Sequence, residues 1–134
     1  MQRNWLDKSL EQLEKDTWGK PTYDSYLITT CYALRKKQLK SFTIEDLRIM
    51  ISQSIGLSFL LPLAIEKLKH NLFATGHLYE GDLLASVLAI EKSYWLANKT
   101  QYNIMYQLIE NRLTELDTLK INYREFIDTQ SRKA

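Results

Sequence analysis

The sequence predicts an all-α fold, formed by a single compact domain of five or six helices. Apolar residues recur every three to four positions along most of the chain, which is the period of an amphipathic helix. Only 4 Gly and 2 Pro occur in 134 residues, whereas an all-β domain needs a turn about every 8–12 residues. The length suits one domain, so we assign residues 1–134 to it and expect the tail to fray from about residue 130.

Two short segments begin the predicted fold. Ser9 and Gln12 form a capping box and predict a short helix over residues 10–16. Gly19 and Pro21 end that helix, because Gly permits a left-handed turn and Pro cannot continue a helix. A stripe of inward-facing residues then predicts a second helix: Tyr23, Tyr26, Leu27, Thr30, Cys31 and Leu34.

The middle of the chain predicts two further helices. Thr43 and Asp46 mark an N-terminal cap, and Gly56 ends the helix that they begin. Residues 58–71 form the next helix, with Pro62 in its first turn, where the missing N–H does no harm. The first of these two helices is predicted to face the core with Ile44, Leu47, Ile51 and Ile55.

The C-terminal half predicts a loop and two longer helices. Two glycines close together indicate a loop over residues 73–81, and Asp82 is placed to cap the helix that follows. That helix covers residues 82–97. After a short break, apolar residues keep a 3.6-residue period over residues 100–127, which predicts a last helix with a bend near Thr118.

The chain lacks the residue patterns of an enzyme or a metalloprotein. It contains no nucleophile, phosphate-loop or zinc-binding motif, so we predict no catalytic residue, no cofactor and no metal ion. His70 and His77 are seven residues apart and would share a helix face only if the segment between them were helical. Because that segment is predicted to be a loop, we expect both histidines at the surface. Cys31 lies on an inward stripe and is expected to be a small buried apolar group. A single cysteine forms no internal disulfide, which suits a reducing compartment.

The sequence also predicts where the protein resides. Residues 49–65 carry no charge, but they are fewer than the about 20 apolar residues of a membrane span and include several polar side chains. The N-terminal residues lack the apolar segment of a secretory signal. We therefore expect a cytoplasmic protein without a membrane partner.

The net charge of +2 comes from one short basic segment. Residues 35–40 hold four bases and no acid, namely Arg35, Lys36, Lys37 and Lys40. These cations suit the negative end of a helix dipole, a contact with an acidic partner, or binding to nucleic acid. The last interpretation gives the alternative function, a helical nucleic-acid-associated or regulatory module. The near-neutral total favours the other two, so we expect no direct nucleic-acid binding.

Aromatic residues are the second unusual feature. The chain has 8 Tyr, 4 Phe and 3 Trp, and we expect Tyr23, Tyr26, Trp95, Tyr106 and Tyr123 in the core. Exposed Tyr and Trp anchor protein–protein contacts. Residues 76–82 combine apolar, aromatic and acidic side chains in a segment rich in turn residues. This segment is either a structural connector or one part of a recognition surface.

Several of these residues carry a resemblance to a known family. These residues lie in the stretches Trp5, Ser9-Leu10-Glu11-Gln12, Trp18-Gly19, Pro21, Tyr23-Asp24-Ser25-Tyr26, Leu34-Arg35-Lys36-Lys37, Glu45-Asp46-Leu47-Arg48, Ile55-Gly56-Leu57 and Gly81-Asp82-Leu83-Leu84. With them, the first ninety-odd residues resemble the immunity proteins of bacterial contact-dependent growth inhibition (CDI) systems. Two positions depart from the family pattern, Gln38 and Leu72, where the family has Pro.

The resemblance implies a cytoplasmic, non-catalytic protein that binds the C-terminal toxin domain of a cell-surface effector and blocks it. Such toxins are mostly nucleases that often cleave tRNA. A nuclease active site is basic because it holds phosphate, so a partner that covers it offers acidic and aromatic groups. On charge alone, the predicted toxin contacts are Asp24, Tyr79, Glu80, Asp82, Glu110, Glu115 and Asp117.

Overall fold

The computed structural model of the protein describes residues 3–21 and 25–131. These residues are helical and contain no β-strand, which confirms the predicted class. A short 3-10 turn (Leu39–Ser41) separates α3 from α4. The helices are α1 (Arg3–Leu6), α2 (Leu10–Glu14), α3 (Tyr26–Leu34), α4 (Ile44–Ser52), α5 (Leu57–His70), α6 (Asp82–Leu88), α7 (Lys92–Ala97), α8 (Lys99–Ile109), α9 (Leu113–Thr118) and α10 (Arg124–Ser131).

The described part of the chain has more helices than the five or six expected, because both long C-terminal helices are interrupted and α1 was not expected. The predicted helix over residues 82–97 turns at Ile90, which is buried and therefore preserves the apolar period across the turn. The predicted helix over residues 100–127 divides into α8, α9 and α10. Lys120 takes a left-handed conformation (φ 60°) between α9 and α10, close to the bend expected at Thr118.

Both predicted capping boxes are present. At the start of α2, Gln12 N–H donates to the Ser9 hydroxyl (3.3 Å), and Ser9 N–H donates to the Gln12 side chain (2.9 Å). At the start of α4, the same exchange joins Asp46 N–H to Thr43 (3.1 Å) and Thr43 N–H to the Asp46 carboxylate (3.0 Å). Each box satisfies two backbone donors that a helix start leaves free, which fixes where these helices begin.

Helix α4 lies at the centre of the fold, in contact with α3, α5 and α6. Leu47 and Ile51 are buried as predicted, and Ile44 and Ile55 pack against the core more peripherally. Met50 is also fully buried, so α4 is enclosed on more than one side. The central position of α4 makes it the element on which neighbouring loops are supported.

A cluster of aromatic rings joins the C-terminal helices. Trp95 of α7 makes edge contacts with Phe126 of α10 (5.2 Å between ring centroids) and with Tyr102 of α8 (5.9 Å). The Tyr102 hydroxyl donates to the carbonyl of Phe126 (2.8 Å). Trp95, and likewise Tyr123, is buried as predicted. These contacts hold three short helices together, none of which would be stable alone.

Several expectations about individual residues are wrong. Tyr26 is 77% exposed and Leu27 is 40% exposed, because both lie in the first turn of α3 while the later turns bury Cys31 and Leu34. Pro62 is the sixth residue of α5 and so lies inside the helix. Gly56 precedes α5 in a left-handed conformation (φ 65°), whereas α4 has already ended at Ser52. The predicted core residue Tyr23 lies outside the described residues.

Burial agrees with expectation at Cys31. The side chain is buried, and desolvation raises the pKa of its thiol, which disfavours the reactive thiolate. No helix in residues 3–21 and 25–131 has the length and apolar character needed to cross a membrane.

Candidate functional site

The segment between α5 and α6 presents large side chains to solvent. Leu78 is 62% exposed and Tyr79 is 50% exposed, and His77 and Glu80 are exposed beside them. We call residues 76–80 the 76–80 loop. On most protein surfaces, exposed large apolar side chains occur singly. Four consecutive exposed side chains that include Leu and Tyr therefore mark a candidate contact surface.

A buried carboxylate holds this loop from below. Asp82 was expected to cap α6, but Gly81 occupies the cap position (φ 82°) and Asp82 is the first residue of the helix. Its side chain is 1% exposed, and its carboxylate accepts hydrogen bonds from the backbone N–H groups of Gly76 (2.6 Å), Leu78 (2.9 Å) and Tyr79 (3.4 Å). Asp82 therefore shapes the loop and has no accessible surface for a direct contact with a partner.

A second buried carboxylate supports the same loop from α4. Glu45 accepts two hydrogen bonds from Arg48, one from Nε (2.7 Å) and one from Nη2 (2.6 Å). It also accepts the backbone N–H of His77 (2.8 Å). Arg48 Nε lies 3.8 Å from Asp82 Oδ2, so its guanidinium connects the two carboxylates. We call Glu45, Arg48 and Asp82 the buried charge cluster.

Glu45 and Arg48 are both charged at neutral pH. The hydrogen bonds from Arg48 lower the pKa of Glu45 to about 2, although burial acts in the opposite direction. The same hydrogen bonds raise the pKa of Arg48. Two carboxylates share one guanidinium, so the cluster keeps one unit of negative charge directly beneath the loop.

Close packing favours glycine at position 76, and the backbone conformation favours it at position 81. A Cβ on Gly76 would lie 2.5 Å from Glu45 Oε1 and 3.2 Å from Glu45 Cα. A Cβ on Gly81 would lie 2.6 Å from Cδ1 of Ile121, and its positive φ also disfavours other residues. The loop therefore sits against the cluster with no room for a further methyl group.

The turn between α8 and α9 contacts Phe73, which precedes the loop. The Arg112 guanidinium lies 4.9 Å from the centre of the Phe73 ring, and it donates to Glu115 at 2.7 Å and 2.9 Å. These hydrogen bonds lower the pKa of Glu115. Glu110, which ends α8, is exposed two residues before Arg112.

The predicted contact residues in the described part of the chain lie on different elements. Tyr79 and Glu80 lie on the loop, Glu110 follows the last residue of α8, and Glu115 lies in α9. Asp117 lies further along α9 and accepts a hydrogen bond from the Tyr123 hydroxyl (2.9 Å). Asp24 lies outside the described residues.

Sequence reasoning missed two members of the buried charge cluster. The sequence assigns Glu45 to a solvated first turn of α4, but the structure buries it at 8% exposure. No role was predicted for Arg48, although its spacing of three residues from Glu45 suits a helical ion pair. The missing information was the contact with a loop more than thirty residues away.

The two histidines lie on the surface. His70 and His77 are both exposed, and no group of three or more potential ligands occurs in the described part of the chain.

The basic segment is largely neutralised by internal ion pairs. Arg35 is buried, and its guanidinium donates to the Glu14 carboxylate and to the carbonyl of Asp16. Lys37 and Lys40 pair with acidic residues of other segments, at 2.6 Å to Asp46 and 2.9 Å to Asp7. A nucleic-acid-binding surface needs free cations along one face, so this arrangement weakens the alternative function.

Most of the chain is similar to a known family. The model that describes CDI immunity proteins matches residues 12–108, a span that includes the 76–80 loop and the buried charge cluster. No curated protein and no solved structure matches the chain.

Proposed function

The chain belongs to the CDI immunity proteins, and on this premise we propose that it neutralises its cognate toxin by binding the C-terminal toxin domain of the effector. Neutralisation in this proposal requires binding alone, so the protein acts as an inhibitor and not as an enzyme. The proposed compartment is the cytoplasm, where a toxin that cleaves RNA finds its substrate.

The 76–80 loop is the proposed centre of the toxin contact. The observation that carries this proposal is the exposure of Leu78 and Tyr79 on a backbone held by buried hydrogen bonds. Aromatic side chains in the middle of an interface contribute most of its binding energy, and a fixed backbone reduces the entropy lost on binding. Glu80 adds an exposed carboxylate to the negative charge of the cluster.

The charge of this surface supports a nuclease as the partner. Glu80 and Glu110 are exposed acids, and the buried charge cluster adds net negative charge beneath the loop. A groove that binds RNA phosphates is positively charged and is attracted to such a surface. We propose that the toxin is an RNA-cleaving enzyme whose basic surface faces the loop.

The remaining predicted contacts take secondary positions in this proposal. Glu115 and Asp117 extend the contact along α9, although each already interacts with a neighbouring basic or hydroxyl group. Asp24 is a further proposed contact. Asp82 acts indirectly, because its buried carboxylate positions Tyr79.

Co-expression with the toxin domain encoded immediately upstream tests the proposal. The protein is expected to restore growth and to bind the purified toxin domain in a calorimetric titration. Combining Tyr79→Ala with Glu80→Lys is expected to weaken binding by about 30-fold or more, as for a central aromatic contact. The control is Glu91→Lys, an exposed acid near Ser54 and Leu57, at the opposite end of α4 from the loop.

The outcomes separate the function from the site. Absence of both binding and growth rescue would overturn the proposed function. Normal affinity in the Tyr79 and Glu80 variant would leave the function standing but would remove the loop from the interface. Equal weakening by Glu91→Lys would show that net charge, and not the loop, determines the affinity.

A further inference from the structure

We propose that the 76–80 loop is a fixed backbone on which Leu78, Tyr79 and Glu80 determine which toxin is bound. This inference rests on the proposed function, since it concerns the selectivity of the same surface. It assigns two different roles to two sets of residues. The buried charge cluster positions the loop, and the exposed side chains make the contact.

The loop is held in place through its backbone. Four consecutive residues, 76–79, donate their N–H groups to buried carboxylates, three of them to Asp82 and one to Glu45. Every amino acid except Pro supplies the same N–H group. The loop conformation therefore does not depend on which side chains residues 78 and 79 carry.

The buried charge cluster is a rigid support for the loop. The two carboxylates come from α4 and α6, which pack directly against each other in the core. Arg48 connects them, and the close approach of Gly76 to Glu45 leaves no space for another arrangement. Removing one member of such a cluster leaves buried charge without its partner, which is strongly unfavourable.

The exposed side chains of the loop take little part in this support, although Tyr79 interacts electrostatically with Arg48. Leu78 and Tyr79 are half-exposed or more, and Glu80 is exposed, while their backbones carry the anchoring contacts. His77 is different, because its ring Nδ1 lies 3.8 Å from Glu45 Oε2. We therefore exclude His77 from the selecting set.

This division of roles has a functional consequence. A protein that must match one toxin and not its relatives gains selectivity by changing contact side chains. Here such changes leave the fold and the loop backbone intact, because neither depends on residues 78–80. The buried charge cluster, in contrast, does not tolerate the same changes.

Hydrogen exchange of the isolated protein tests the division without any toxin. The variant with Leu78→Ser, Tyr79→Ser and Glu80→Ser is expected to keep the exchange rates of amides 76–79 within about twofold of the wild type. Asp82→Asn is expected to raise them by about tenfold or more, because the isosteric amide replaces one acceptor oxygen with a donor. Acceleration in the triple serine variant would overturn the inference.

A second variant covers the case in which Asp82→Asn does not fold. Gly76→Ala adds one methyl group whose three nearest neighbours are atoms of Glu45 and Asp82. It is expected to raise exchange of the same amides while the amides of α4 stay protected. Unchanged exchange in Gly76→Ala, or in a folded Asp82→Asn, would show that the cluster does not position the loop.

A library tests selectivity in cells that express the upstream toxin domain. Residues 78–80 are randomised, and variants are scored separately for protein abundance and for survival. Abundance is expected to tolerate nearly all residues other than Pro, whereas survival is expected to retain only a small fraction of them. The same library at Glu45, Gly76 and Asp82 is expected to be restricted in both scores.

The possible failures are distinguishable. If the wild type neither binds the toxin nor supports survival, the proposed function fails, whatever the exchange experiment gives. If the wild type protects and every abundant variant of residues 78–80 protects equally, the function stands and these residues do not select the toxin. If abundance is as restricted as survival at residues 78–80, the loop depends on its side chains and the inference fails.

Discussion

At the scale of single residues, Arg35 shows how this chain stabilises a buried charge. Its guanidinium lies 4.3 Å from the centre of the Trp18 ring and donates to Glu14 and to the carbonyl of Asp16. A planar guanidinium can stack and donate in its own plane at once, which an ammonium cannot do. Arg35 thereby fixes the segment after α2 against the end of α3, and this accounts for a charge that looked solvated in the sequence.

Glu45 leads to a prediction about pH. Its pKa is about 2 in the folded protein against a usual value of 4.5, a difference of about 3 kcal/mol. Because the folded pKa is the lower one, this stabilisation is present above pH 4.5 and is lost as the pH falls towards 2. We expect the free energy of unfolding, measured with urea, to fall between pH 5 and pH 2 by about 3 kcal/mol more in the wild type than in Glu45→Gln.

The comparison with Glu45→Gln isolates this one carboxyl group, since the other acids titrate in both proteins. Parallel pH profiles of the two proteins would contradict the structure at this point. They would mean that Arg48 does not hold Glu45 in its charged form.

At the scale of elements, Pro62 stands inside α5, where it has no N–H to donate to the carbonyl four residues earlier. Pro is about 3 kcal/mol less favourable than Ala in a helix interior, although it also restricts the unfolded chain. We therefore expect Pro62→Ala to raise the free energy of unfolding by about 1–2 kcal/mol in chemical denaturation. Glu66→Ala, an exposed site on the same helix, is the control and is expected to change it by less than about 0.5 kcal/mol. Destabilisation by Pro62→Ala would show that the ring contributes more by packing than it costs.

The elements also show which features a sequence can predict. Ser9 and Thr43 were recognisable as caps, because a capping box needs only residues three positions apart. The interruption of residues 82–97 was not recognisable, because the buried Ile90 continues the apolar period through the turn. The 76–80 loop was predictable from its glycines and exposed aromatic residue, whereas the contact of Glu45 with that loop depends on how α4 and α6 pack.

At the scale of the whole molecule, the net positive charge does not describe the local charge around the 76–80 loop. The chain carries a net charge of +2, yet Arg35, Lys37 and Lys40 each have an acidic partner. In formal charges, two carboxylates and one guanidinium leave the buried charge cluster one negative charge, and the exposed Glu80 adds another at the loop. A partner that approaches within a Debye length, about 8–10 Å, responds to this local field more than to the total charge.

This distribution predicts how toxin association depends on salt. In stopped-flow measurements, the rate of association with the upstream toxin domain is expected to fall as ionic strength rises. The reason is that the negative loop and the basic toxin attract each other at long range, and salt screens this attraction. Glu80→Gln is expected to slow association about two- to fivefold at low salt and to match the wild type at high salt. Glu91→Gln makes the same change in net charge at the opposite end of α4 and is expected to leave the rate nearly unchanged.

If both substitutions act equally, the toxin responds to total charge and the loop does not guide its approach. If Lys36→Gln slows association and Glu80→Gln does not, the toxin approaches the basic segment at the end of α3 instead of the loop.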